Sequence, residues 1–156
     1  MHKVYLAHSL QIHNPYTKPP GGVEYDHMRL IALTAANILR ERGVAEELIQ
    51  DILSHGVDTG VPRDTRRRKA LYACDEITGL VTAVALVRPS RSLLDLEPSS
   101  VKKKWKDRAF AAGTDREEMQ EAAQDFGVEL WEHVGNVITA MRRIAPELGL
   151  VGTSQH

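Results

Sequence analysis

Apolar residues recur with a helical period along most of the 156-residue chain, beginning near Tyr25. Leu30, Ile31, Leu33, Ala35, Ala36, Ile38 and Leu39 repeat at steps of three and four, and Gly43 supplies a stop. A second helix is predicted from about Ala45 to His55, with Leu48, Ile49, Ile52 and Leu53 on its buried side and Gly56 ending it. A third runs from roughly Asp64 to Val87. Its first turns are basic (Arg66, Arg67, Arg68, Lys69), and it is then apolar nearly all round until Pro89. A helix apolar on every side belongs in the middle of a domain.

Three more helices follow the same reading. One spans about Ser99 to Ala112, with Val101, Trp105 and Ala109 at four-residue spacing. One is opened by Thr114 and Glu117 as a capping box and reaches Asp125. The last runs from about Val128 to Ile144, before Pro146 and Gly149. No segment alternates with a period of two, so the expected class is all-α: one helical domain over 25–149, an irregular segment over 1–24 broken by Pro15, Pro19, Pro20, Gly21 and Gly22, and a tail over 150–156.

Composition adds three constraints. Cys74 is the only cysteine, which rules out an intrachain disulfide and a cysteine-rich zinc site and suits a reducing cytoplasm. The longest apolar run, Ile77 to Val87, falls short of the roughly 20 residues a bilayer span needs, so no membrane is expected. No signal peptide is read at the N-terminus. The net charge of -1 conceals an asymmetry. Between Arg63 and Arg108 there are 12 Lys or Arg against 6 Asp or Glu, and the remainder is acidic. A basic middle in an acidic chain suits a small anionic ligand better than nucleic acid, whose binders usually carry a basic face across the whole domain.

Three side chains stand out against the apolar pattern. Asp75 falls in the apolar helix, with Thr78, Gly79 and Thr82 completing a narrow polar or small stripe. A carboxylate in a core position costs several kcal/mol unless a cation, metal or hydrogen bonds compensate it. The candidate roles are a buried salt bridge or a ligand. His27 falls on the stripe of Leu30, Ile31, Thr34 and Ile38, and His55 on that of Leu48 and Ile52. Each is either a core histidine or a ligand. Imidazole and carboxylate together suit divalent metals such as Mn, Fe, Co or Zn.

Several strings carry a family resemblance: Ile52-Leu53-Ser54-His55-Gly56, Thr59-Gly60-Val61-Pro62, Lys69-Ala70-Leu71-Tyr72-Ala73-Cys74-Asp75-Glu76-Ile77-Thr78-Gly79-Leu80, Leu86-Val87-Arg88-Pro89-Ser90, Ser100-Val101-Lys102-Lys103-Lys104 and Ala109-Phe110-Ala111-Ala112-Gly113. Over roughly residues 24–140 the chain resembles the small bacterial HD-domain proteins of the HD superfamily of metal-dependent phosphohydrolases. The resemblance implies an all-α bundle, a divalent metal (Mn, Fe, Co, Zn or Mg) and hydrolysis of a phosphorylated metabolite or nucleotide. It makes Asp75 the family's late Asp, with a catalytic and ligand role, and His27 and His55 its two additional His ligands. The His-Asp doublet is altered: Leu6-Ala7-His8-Ser9-Leu10 offers His8, but Ser9 replaces the bridging carboxylate. The family's first His has no counterpart. The expectation is therefore an incomplete centre, either because an N-terminal helix is missing or because the site has decayed, with at most one weakly held metal on His8, His27, His55 and Asp75. The alternative is a non-catalytic HD-like domain that holds an anionic ligand or a protein partner.

Lys102, Lys103, Lys106 and Arg108 are the candidate phosphate-binding groups, since ammonium and guanidinium favour phosphoryl oxygens; the alternative is a solvated helix face. Trp105, Cys74, Met119 and Met141 read as core. Partners reduce to a small phosphorylated ligand, with a homodimer left open.

Overall fold

Helix α1 covers Val23–Glu41 and α2 covers Glu46–His55 in a computed structural model that describes residues 23–56 and 59–152, with side chains from residue 29 onward. The two helices form a hairpin about Ala36, Ile49 and Leu53, with Ala32, Leu39, Val44 and Val61 packed around them. Its turn is clamped by Arg40, which donates from Nε and Nη2 to the two carboxylate oxygens of Glu46 at 2.8 and 2.7 Å. Gln50 adds a third hydrogen bond, and together they hold the Glu46 carboxyl down at about 2.

The remaining helices are α3 (Arg66–Val87), α4 (Pro98–Trp105), α5 (Arg116–Phe126) and α6 (Leu130–Arg143). Together the six elements make the described chain all-α. Among the described residues no strand forms, and β-type pairing is confined to one antiparallel bridge between Ser92 and Val151. The contacts divide the chain into two compact units, one within Pro15–Tyr72 and one holding Ala73–His156, so α3 passes from the first to the second.

In the second unit, Ile77, Leu80, Val81, Val84 and Ala85 of α3 share a core with Val101 of α4, Met119 and Ala123 of α5, and Val134, Ile138 and Met141 of α6. Helix α3 is long and apolar enough to cross a membrane by length and composition, a test that a core helix also passes. Arg142 ties α6 to the loop between α3 and α4, donating to the carbonyls of Leu93 and Leu96 and to Glu97. Gly127 closes α5 in the left-handed region, with φ 86°, where a side chain would be strained.

Several local expectations change. Helix α4 stops at Trp105 rather than near Ala112, because the Asp107 carboxylate accepts from the Ala109 and Phe110 N–H groups and turns the chain. The cap of α5 is Asp115, not Thr114: Asp115 Oδ1 accepts from Glu117 and Glu118 N–H at 2.9 and 3.0 Å. In the hairpin, Leu48 and Ile52 are exposed rather than buried, as are Leu30, Ile31, Leu33 and Ile38. The small residues Ala32 and Ala36 take the helix contact instead, because they let the two backbones approach.

Candidate functional site

His55 ends α2 half-buried, its ring edge 6.1 Å from that of Tyr72. The other side of this arrangement is Arg63, whose guanidinium stacks 3.5 Å over the Tyr72 ring while its Nε donates to the Ser54 carbonyl at 2.9 Å. Thr59 Oγ1 donates to the Leu53 carbonyl at 2.6 Å. These two groups satisfy carbonyls that a helix end leaves open. Gly56 is required here, since a Cβ at that position would meet the Thr59 methyl at 2.9 Å. The same Cβ would stand 4.0 Å from Ala32, so the end of α2 lies beside the part of α1 that leads back to His27. His27 lies on α1 with its side chain outside the described residues, as are His8 and Ser9 entirely.

The basic start of α3 has an internal partner that sequence reading passed over. Asp51 is buried and accepts from Nε of Arg67 and, at 3.0 Å, from Nε of Arg68. Arg67 also reaches Glu47, and Arg68 reaches Asp64. Burial alone would push the Asp51 carboxyl up, but the hydrogen bonds from Arg68 and Arg67 overcome it and hold the group below the usual carboxylate range. Part of the basic middle is therefore a neutralised network.

Asp75 is exposed, contrary to its apolar sequence surroundings. At 100° per residue it falls about 200° round α3 from Ala73, whereas Ala73, Ile77, Leu80 and Val84 define the buried side. Its neighbour Glu76 is the half-buried carboxylate. Glu76 Oε2 accepts the Asp115 N–H at 3.1 Å. Burial pushes this carboxyl up to about 7; the Asp115 N–H opposes the shift, and the charges of Asp75 and Asp115 add to it. A carboxyl half-protonated near neutrality can exchange a proton with a bound group. Sequence reading missed it by one position.

His133 is a second missed group, buried in the Leu130, Val134 and Val137 stripe of α6. Its Nε2 lies 3.1 Å from the Ala73 carbonyl and 3.8 Å from Cys74 Sγ. A carbonyl only accepts, so this contact assigns the proton to Nε2, which cannot then take one from the thiol. Burial also pushes the Cys74 thiol up. The pair is packing, not an activated nucleophile.

Lys102, Lys103, Lys106 and Arg108 are all exposed. Among the described residues none of the four enters a salt bridge, whereas Arg40, Arg67, Arg68, Arg88 and Arg142 all do. Lys102 lies 5.1 Å over the Trp131 ring, which itself meets Trp105 edge-on at 5.5 Å. The segment is fixed from below by buried Arg116. Its guanidinium donates to the carbonyls of Trp105, Asp107 and Phe110 at 3.0, 3.0 and 2.8 Å. The lysines also complement the C-terminal end of the α4 dipole.

Among the described residues no group of three or more His, Cys, Asp or Glu side chains is placed to hold a metal ion. The chain matches no protein-family model, no curated protein and no solved structure.

Proposed function

We propose that this chain is a cytoplasmic relative of the HD phosphohydrolases that binds a small phosphorylated metabolite or nucleotide and turns it over poorly or not at all. The observation that carries the ligand is the set of uncompensated cations, Lys102, Lys103, Lys106 and Arg108, on a segment that Arg116 holds in place. Phosphoryl oxygens satisfy such groups through charge-assisted hydrogen bonds. The family assignment rests on the quoted strings around His55, Asp75 and Lys102, and an all-α chain agrees with it.

In an HD enzyme a divalent metal activates water for attack on phosphorus. The donors here do not fit that role well: Ser9 replaces a carboxylate, Asp75 is exposed, and among the described residues no three His, Cys, Asp or Glu side chains are placed to share a metal. No catalytic step is therefore assigned through a metal.

The test is calorimetric binding of pyrophosphate and AMP to the full chain, alongside turnover of a generic phosphomonoester with excess Mn, Co or Zn. Binding should weaken with salt and fall at least tenfold when Lys102, Lys103, Lys106 and Arg108 are all changed to Ser, while turnover stays at background. Ser9→Asp should tighten Mn binding. Absence of anion binding defeats the ligand reading. Robust turnover that disappears in Asp75→Ala defeats the reading of an incomplete centre.

A further inference from the structure

We propose that Glu76 is a positioning residue for the cationic segment that ends α4, and that an anion bound there draws a proton onto the Glu76 carboxylate. This regulation rests on the phosphate-binding reading of Lys102, Lys103, Lys106 and Arg108. Between α4 and α5 the chain from Lys106 to Asp115 forms neither helix nor strand, so its shape depends on side-chain anchors. Half-buried Glu76 supplies one, its Oε2 accepting the Asp115 N–H at 3.1 Å and tying the end of the segment to α3. Asp115 caps α5, and Arg116, the next residue, donates back to the carbonyls of Trp105, Asp107 and Phe110. Those carbonyls belong to the stretch that carries Lys106 and Arg108. Ala111 lies in the same segment with φ 50°, a region that costs an alanine energy, and Thr114 Oγ1 donates to its carbonyl at 2.8 Å. Such a conformation persists only where the surroundings hold it. The contact between Glu76 and Asp115 is therefore the anchor of the group that sets the cations.

Among the described residues two charges bear on Glu76: Asp75, its neighbour on α3, and Asp115, on the element it contacts. Both are negative. The Arg116 guanidinium, one residue from Asp115, is committed to backbone carbonyls. Burial, with these two charges added, holds the Glu76 carboxyl up at about 7 against the hydrogen bond from the Asp115 N–H. A neutral carboxyl still offers that N–H an acceptor and adds no repulsion, so the anchor persists on the acid side. Once ionised, the carboxylate gains by turning to water, and the hold on Asp115 loosens. An anion that binds the organised segment best therefore favours the protonated form, and its own charge adds to those of Asp75 and Asp115. By linkage, proton uptake on binding and affinity that falls as pH rises are one effect.

The experiment is calorimetric binding of sulfate to the full chain at pH 6, 7.5 and 8, in two buffers of different ionisation enthalpy. Sulfate does not titrate in this range, so any proton taken up goes to the protein. Affinity should fall about fivefold from pH 6 to pH 8, with about half a proton taken up per sulfate at pH 7.5. Both follow from a rise of about one unit in the Glu76 value on binding. Glu76→Gln should keep sulfate binding, lose the pH dependence and the proton uptake, and bind at pH 8 as the wild type does at pH 6. The Glu76 carboxyl carbon, followed by NMR in glutamate-labelled wild type, should titrate near 7 and shift upward when sulfate saturates the site. Equal affinity at pH 6 and pH 8 overturns the inference and leaves the phosphate-binding reading standing, as does a Glu76 titration that ignores sulfate. A pH dependence that survives Glu76→Gln belongs to another group and overturns it too. If neither sulfate nor pyrophosphate binds at any of these pH values, the phosphate-binding reading itself fails. Should Glu76→Gln fold poorly, the titration in the wild type decides alone.

Discussion

The helices from Ala73 onward and the hairpin before Tyr72 are built on different physics. From Ala73 on, fully buried Ile77, Leu80, Val84, Leu93, Leu96, Val101, Val134 and Ile138 make one apolar core spanning four helices and the loop between α3 and α4. The hairpin buries Ala36, Ile49 and Leu53 and little else of that kind. Its order depends on polar clamps: Arg40 on Glu46, Arg67 and Arg68 on Asp51, and Arg63 and Thr59 on the last carbonyls of α2. Apolar burial is non-directional and is not screened by ions, whereas charge-assisted clamps are directional and respond to pH and ionic strength. A chain can thus carry a firm region and a conditional one on either side of a single helix.

The largest expected effect separates the two cores. Leu80→Ala removes a fully buried side chain from the large core and should cost about 2–5 kcal/mol, seen as a lower midpoint of the main unfolding transition. Ile49→Ala makes an equally buried deletion in the hairpin. It should leave the main transition nearly in place and instead raise amide exchange across α2. Equal shifts of the main transition by both variants would show that the two regions unfold as one.

Acid should then drive the regions in opposite directions. Glu46 is held at about 2 in the folded chain against 4.5 as its ordinary value. A depressed carboxyl stabilises above its ordinary value, and that contribution is lost as pH falls from 4.5 towards 2; Asp51, also depressed, acts in the same sense. Asp51→Asn should speed exchange in α2 and at the start of α3 on the order of tenfold at pH 7. Glu76 is raised, from 4.5 to about 7, so its ionisation costs the other region stability as pH rises through that range. Glu76→Gln keeps an acceptor for the Asp115 N–H and removes the charge. It should gain about 1 kcal/mol at pH 8, after allowance for solvent screening, and almost nothing near pH 3.5, below both values. Thermal midpoints at the two pH values check this; a gain at the lower pH equal to that at pH 8 would trace the effect to packing.

The helices were legible because steps of three and four persist through each of them, and Gly43, Gly56 and Pro89 mark stops that the structure keeps. What the pattern could not decide was which of two apolar stripes meets the partner. In α1 one stripe holds Ile31 and Ile38 and the other Ala32 and Ala36, and hydrophobicity favours the first while close helix approach requires the second. The same limit moved the buried carboxylate from Asp75 to Glu76, since one residue is 100° of rotation. Thr114 and Asp115 both stand three residues before a Glu, so the capping pattern fits either, and the carboxylate took the role. His133 was readable in principle, because Leu130 and Val137 place it on the apolar stripe of α6. The Asp51 network was not, because sixteen residues separate Asp51 from Arg67 and only the reversal of the chain between α2 and α3 brings them together.

The smallest effect concerns helix starts, and it sharpens the contrast from the other side. In the firm region α5 and α6 are capped by side chains: Asp115 accepts from Glu117 and Glu118 N–H, and Glu129 accepts from Trp131 and Glu132 N–H at 2.8 and 3.0 Å. In the hairpin α2 starts at Ala45, whose φ of -57° and ψ of 132° lie outside the helical region and whose methyl offers no acceptor. The N–H groups of its first turn therefore lack the side-chain partner that its counterparts have. Ala45→Ser supplies one at an exposed position with no change in packing. It should stabilise α2 by about 0.5–1 kcal/mol, and Asp115→Ala should cost α5 about 1 kcal/mol. The two are read differently: the first as slower amide exchange in α2 alone, the second as a lower midpoint of the main transition. If Ala45→Ser leaves exchange in α2 unchanged, that helix is limited by its scant apolar burial rather than by its open first turn, and the sealed side of the hairpin, not its ends, sets how long it stays folded.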